Sequence, residues 1–260
     1  MKVLAALDQT AAAAPVLASA NVIADMFVAD VAAVHVVQDG LQQVRDLASH
    51  HGVPLVELEG SPGPRLAQAL EDDDDAVALV VGTRCLPQGG REIGSTALEV
   101  MTTARKPVFA IPPELPAGFA VRRVLVPLEG SLPTSYAPYD ALDVPGAEHV
   151  EVVILHVLDE QAVPAFSDQP QHEWEAYGRE FLARYSQWPF EHVRFETRVG
   201  RPDQHILPVA QEMGCDLIAL AWAQELAPGR ARIVRETLRR GRIPILLVPV
   251  RTAVAGLAAG

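Results

Sequence analysis

The sequence predicts an α/β protein of two tandem domains, each a five-stranded parallel sheet in the order 3-2-1-4-5 with helices on both faces. Three observations carry that prediction. Short apolar runs alternate with helical stretches along the whole chain, and the runs are apolar without in-out alternation, as in strands buried on both faces. The chain also repeats itself: KVLAALD (Lys2 to Asp8) lines up with RVLVPLE (Arg123 to Glu129), and at the same spacing His35-Val36 falls on His156-Val157. Finally, one segment of the first copy reads as a strand, a glycine-bearing loop and a helix start, a common way to build an anion site.

Taken in order, the first copy has strands at Val3–Leu7, Val31–Val37, Val53–Leu58, Ala76–Val81 and Val108–Ile111. Helical stretches near 11–27, 40–50, 63–72 and 95–105 lie between them. Such alternation implies right-handed crossovers, with ligands beyond the carboxyl ends of the strands where the strand order reverses. Asp8 after strand one and Gly82 after strand four would face each other there. Val53 to Gly60 and Pro62 recur as Val193 to Gly200 and Pro202, and PVFAIP (Pro107 to Pro112) recurs as PILLVP (Pro244 to Pro249). The period, about 120 to 140 residues, is a duplicated domain rather than a solenoid. The expected domains are 1–116 and 121–250, joined by a linker over 114–120 and followed by a tail at 251–260.

The second copy differs. Pro133, Pro138 and Pro145 replace an alanine-rich stretch, so its first helix should be short or broken. An insertion over 159–192 should carry one helix near 173–185. Its glycine loop is gone: Ala221-Trp222-Ala223-Gln224 replaces Gly82-Thr83-Arg84-Cys85, and Ala231-Arg232 replaces Gly94-Ser95. Trp222 and Arg232 are expected to fill the space, leaving no second nucleotide site.

Composition narrows the function. Of 260 residues, 49% are hydrophobic and 21% charged, enough apolar content for two ordinary cores. A net charge of −12 argues against nucleic-acid or anionic-membrane partners, which need a basic field. Cys85 and Cys215 are too few for a disulfide framework, and no cysteine–histidine cluster suggests zinc. The start of the chain loosely imitates a signal peptide, but Asp8 and Pro15 interrupt it and nearly the same segment recurs in mid-chain. No apolar run reaches the ~20 residues of a membrane span. A cytoplasmic protein is expected.

The segment from Asp75 to Pro112 holds the strongest functional signal. Its strand ends at Gly82, its loop closes at Gly94, and Ser95 and Thr96 open a helix whose first N–H groups are unpaired. The segment resembles the nucleotide loop of the universal stress protein family, whose ATP-binding members carry Gly, two residues, Gly, nine residues, then Gly followed by Ser or Thr. Gly82 and Gly94-Ser95 match that pattern; Cys85 stands where the second glycine belongs, and eight residues (Leu86 to Ile93) fill the spacer.

The resemblance covers residues 1–250 and implies Rossmann-like domains, pairing through the last strand, and a stress-linked role. It places Ala6, Asp8, Val36, Gly82, Thr83, Cys85, Gly94, Ser95 and Thr96 around ATP, alone or with Mg2+. Asp8 would lie near the ribose, the Val36 backbone near adenine, and Gly82, Gly94, Ser95 and Thr96 around the phosphates. The implied partners are the nucleotide, the other half of the chain as an intrachain pseudo-dimer through Val108–Ile111 and Ile245–Val248, and a second chain as a homodimer.

Simpler readings stand beside these. Asp8 reads equally well as a turn residue closing strand one. His35 and His156 each follow a buried strand singly, the pattern of a packed, hydrogen-bonded histidine. The acidic run Glu71 to Asp75 reads as a solvated helix end, and Arg232, Arg235 and Arg239 as a solvated basic face. No GxSxG elbow, Walker lysine or other catalytic constellation is present, so an enzyme is not expected and any ATP turnover should be slow. Two functions lead, an ATP-binding regulatory protein with one competent site or a nucleotide-free protein acting through dimerisation and partner docking, with an adenylate-transferring or ATP-hydrolysing enzyme of similar fold as a third.

Overall fold

Continuous apolar runs can be buried on both faces only if helices cover both sides of the sheet. The computed structural model describes residues 1–37, 41–83, 93–115, 118–158, 170–185, 192–224 and 230–250 and shows that arrangement twice. The first half runs β1 (Lys2–Ala6), α1 (Ala13–Phe27), β2 (Asp30–Val36), α2 (Leu41–His50), β3 (Leu55–Leu58), α3 (Pro62–Asp72), β4 (Ala76–Gly82), α4 (Ser95–Thr103) and β5 (Val108–Ile111). The second runs β6 (Arg123–Pro127), α5 (Leu132–Leu142), β7 (Glu151–Leu158), α6 (Pro170–Tyr185), β8 (Val193–Val199), α7 (Pro202–Glu212), β9 (Leu217–Trp222), α8 (Arg230–Arg240) and β10 (Ile245–Pro249).

The strands form one ten-stranded sheet in the order β3-β2-β1-β4-β5-β10-β9-β6-β7-β8. Each half is parallel and has the expected 3-2-1-4-5 order. The halves join where β5 and β10 pair antiparallel, Phe109 opposite Leu246 and Ala110 opposite Ile245. Side chains alternate across the sheet, so Val3 and Ala5 enter one apolar layer and Leu4 the other. Each layer draws residues from both halves. Burial of apolar area, at about 25 cal/mol per Å², thus contributes to holding the halves together.

Three details refine the sequence reading. Helix α5 is shorter than α1, 11 residues against 15, but unbroken, with Pro138 inside it and Pro145 in a 3-10 turn, Pro145–Ala147. That turn packs on the end of α1 so closely that a Cβ on Gly146 would lie 2.4 Å from the Asp25 carbonyl oxygen. The acidic run is tied down rather than merely solvated. Lys2 pairs with Asp73 at 3.0 Å, and Lys106 Nζ donates to the Leu70 and Asp73 carbonyls, supplying a cation to the C-terminal end of α3.

Among the described residues, no helix is long and apolar enough to cross a membrane. Cys215 is buried, and its burial pushes the thiol up to about 12, which makes it inert. Cys85 lies outside the described residues, as do the loop 84–92 and the segment 251–260.

Candidate functional site

In the 3-2-1-4-5 order, β1 and β4 are neighbours and the chain leaves them in opposite directions, which opens a crevice beyond their carboxyl ends. A cavity of about 230 Å³ occupies that position. Of the residues predicted for the site, Ala6, Asp8, Val36, Gly82, Gly94 and Thr96 line it. Three helix starts border it, with Thr10 just ahead of α1, Pro62 in the first turn of α3, and Gly94 as the N-cap of α4. Among the described residues no side chain caps α3 or α4, so the first amides of both helices present a partial positive charge to the crevice.

Two glycines matter here in different ways. Gly94 has φ −60° and ψ 141°, backbone open to any residue, so glycine is not needed for the helix start. Its N–H donates to the Thr83 carbonyl at 2.9 Å, tying the two ends of the glycine loop together. Gly63 brings α3 against α4: a Cβ there would come 2.5 Å from the Cβ of Glu99. The sequence reading passed over Gly63, although Pro62 was visible as a repeated position.

Asp8 serves in the turn that closes β1 while lining the cavity. Its Oδ1 accepts from the Thr10 amide at 2.9 Å and the Thr10 hydroxyl at 2.6 Å. His35, read as a packed residue, also borders the cavity: Nδ1 donates to the Leu7 carbonyl at 2.8 Å, and Nε2 is buried with no partner among the described residues.

Two predicted residues stand elsewhere. Thr83 is buried, and its amide and hydroxyl both donate to the Ile111 carbonyl on β5, at 2.9 and 3.2 Å. Sheet alternation turns its side chain away from the crevice that Gly82 borders. Ser95 is exposed at the start of α4 and is not part of the lining. Cys85 falls outside the described residues.

The second half retains a smaller crevice of about 180 Å³ at the equivalent position. Pro127, Ala221 and Ile233 border it where Ala6, Gly82 and Thr96 border the first, and Glu129 takes the place of Asp8. Trp222 and Arg232, which the sequence suggested would fill the space, are not among the residues bordering it. Trp222 is buried in the apolar layer, and Arg232 is drawn to Asp203 at 3.2 Å. Asp203 also pairs with Arg201 at 2.7 Å, and the Arg201 hydrogen bond, with Arg232 nearby, holds its carboxyl below the usual range.

Residues 120–249, half of the chain, match the model of the universal stress protein family. The chain belongs to the universal stress protein family. The matching half is the one whose glycine loop has been lost. A universal stress protein from Archaeoglobus fulgidus superposes with TM-score 0.65 at 14% identity, covering 95% of this chain and 98% of that one. A functionally unknown protein from Pseudomonas aeruginosa gives TM-score 0.67 at 12% identity, covering 96% and 92%. The cytoplasmic domain of a prokaryotic cation chloride cotransporter gives TM-score 0.52 at 10% identity, covering 96% and 95%. At these identities the likeness is one of fold. No curated protein matches the sequence.

Proposed function

We propose that this universal stress protein binds an adenine nucleotide, ATP, in the crevice of its first half, and acts as a nucleotide-responsive regulator in the stress response. The observation that supports this reading most is the convergence of the starts of α3 and α4 on the cavity beyond β1 and β4. Phosphate is well matched to such a place, because amide groups and helix dipoles supply positive potential without a lysine. Asp8, at the end of β1, is positioned for a ribose hydroxyl. Mg2+ would enter with the phosphates, since among the described residues no group of three or more His, Cys, Asp or Glu could hold a metal.

A second reading, a nucleotide-free protein working through dimerisation and partner docking, is favoured by one observation. Among the described residues no cationic side chain lines the cavity, and one oxygen of Asp8 is already engaged by Thr10. Nucleotide recovered from purified protein, followed by calorimetric titration of ATP into the full chain, separates the two. Saturation near one site per chain supports the first reading. No binding favours the second, and two sites per chain would show that the narrowed crevice is also competent.

A further inference from the structure

We propose that the exposed face of α8 docks a short acidic segment of another protein. Arg232, Arg235 and Arg239 stand at i, i+3 and i+7 of this helix, on one face and all exposed. Arg240 and Arg242 carry the exposed charge past the helix end. Residues 232–242 thus hold five arginines and one glutamate, a net +4 in a chain of net −12. Val234 and Leu238 point inward, into the apolar layer shared by both halves.

Folding does not account for these arginines. Aligned at Gly94 with Ala231 and at Pro107 with Pro244, α4 carries Ser95, Leu98 and Thr102 where α8 carries Arg232, Arg235 and Arg239. The first half therefore builds the same element with no arginine on that face. Two of the charges are answered within the molecule: Arg232 pairs with Asp203 at 3.2 Å, and Arg239 with Glu236 at 2.7 Å. Arg235, Arg240 and Arg242 make no ion pair among the described residues. Arg235 has Arg232 three residues before it and Arg239 four after, and like charges at those spacings oppose a helix.

The unanswered guanidiniums select the occupant. Each offers a planar fork of donors matched to a carboxylate. At 1.5 Å per residue the stretch from Arg232 to Arg242 is about 15 Å long, the span of about five extended residues. A run of glutamate or aspartate of that length meets the arginines and little else. Nucleic acid or an anionic membrane would extend past the face and meet a chain that is acidic elsewhere. The face is separate from the nucleotide crevice, whose lining includes none of these residues.

Fluorescence anisotropy of labelled penta-glutamate, titrated with the full chain at low and at high salt, tests this, with penta-glutamine as the uncharged control. Saturable binding at one site per chain, weakened by salt and absent for penta-glutamine, is the expected result. Arg235→Gln and Arg242→Gln should each weaken it about threefold, and together about tenfold, since each removes one exposed ion pair. Arg45→Gln, on α2 against the other apolar layer, should leave it unchanged. Thermal midpoints show that the variants fold. No saturable peptide binding, equal binding of penta-glutamine, or affinity unchanged in the double variant overturns the proposal. Tighter binding of a single-stranded oligonucleotide or of phosphatidylserine vesicles, lost in the same double variant, overturns the choice of a protein segment. ATP is absent from this titration, so failure of the nucleotide reading leaves its result legible.

Discussion

Gln224 reaches across the molecule to Ala104, its side-chain amide donating to that carbonyl at 2.6 Å. The same nitrogen lies 3.0 Å from the Met101 carbonyl. Both acceptors are at the end of α4 in the first half, where helix carbonyls lack intrahelical partners, and Gln224 follows β9 in the second. The stretch that lost its nucleotide-loop character thus closes one helix of the other half.

Removing that amide should cost stability without touching the crevice. Gln224→Ala is expected to lower unfolding free energy by about 1–2 kcal/mol, the cost of leaving partly buried carbonyls unpaired. The backbone there has φ 59°, so Gln224→Gly relieves strain while losing the same bonds and should be milder than Gln224→Ala. Urea titrations showing both variants equal to the parent would deny the amide its role.

The β5–β10 junction should make the two halves unfold together. Phe109 is fully buried on a strand flanked by β4 and β10. Phe109→Pro removes a ladder N–H from a central strand and should cost about 3 kcal/mol or more. A single calorimetric transition is expected for the parent protein, and two separate transitions would contradict the coupling.

Gly63 and Gly82 should respond oppositely to alanine. A Cβ on Gly63 would collide with Glu99 Cβ at 2.5 Å, so Gly63→Ala must push α3 off α4, at about 1–3 kcal/mol. On Gly82 the same atom would meet Ala12, the N-cap of α1, and Val16 within it at 3.4 and 3.5 Å, ordinary contact. Gly82→Ala should therefore stay within about 1 kcal/mol of the parent. ATP titrations should show weakened binding in Gly63→Ala and retained binding in Gly82→Ala; the reverse order would refute this account of the crevice.

Asp203 should shape the acid side of the stability curve. Arg201 and Arg232 lower its folded-state pKa below the ordinary 3.8, so the folded state binds protons less readily than the unfolded chain. The stabilisation is present above the unfolded value and lost as pH falls through the folded one. Asp203→Asn should lower stability near neutral pH and flatten the acid limb, with solvent screening keeping the effect small. Urea midpoints measured from neutral to acid pH check it, and an unchanged acid limb in the variant would remove Asp203 from the explanation.

Much of this architecture was legible because its causes are local. Unbroken apolar runs such as Ala76 to Val81 belong in a doubly covered parallel sheet, and the repetition of PVFAIP as PILLVP marked the two strands that meet. The same locality placed Asp8, Gly82 and Gly94 at the crevice, since strand ends and helix starts must lie there in this strand order.

What lies beyond the strand ends was decided by tertiary structure. Thr83 follows Gly82 directly, yet its hydroxyl bonds to Ile111, while Pro62, from a distant turn, borders the cavity. Trp222 and Arg232 looked like plugs, but one is held by the apolar layer and the other by Asp203. The clasp from Gln224 to Met101 spans 123 residues, and the rings of α6 meet Gly130 only through the folded sheet. By itself, the sequence determined strand order, duplication and family, because burial and backbone hydrogen bonding act through local pattern. Side-chain direction past a strand end depends on partners remote along the chain, and those partners exist only once the two halves have packed.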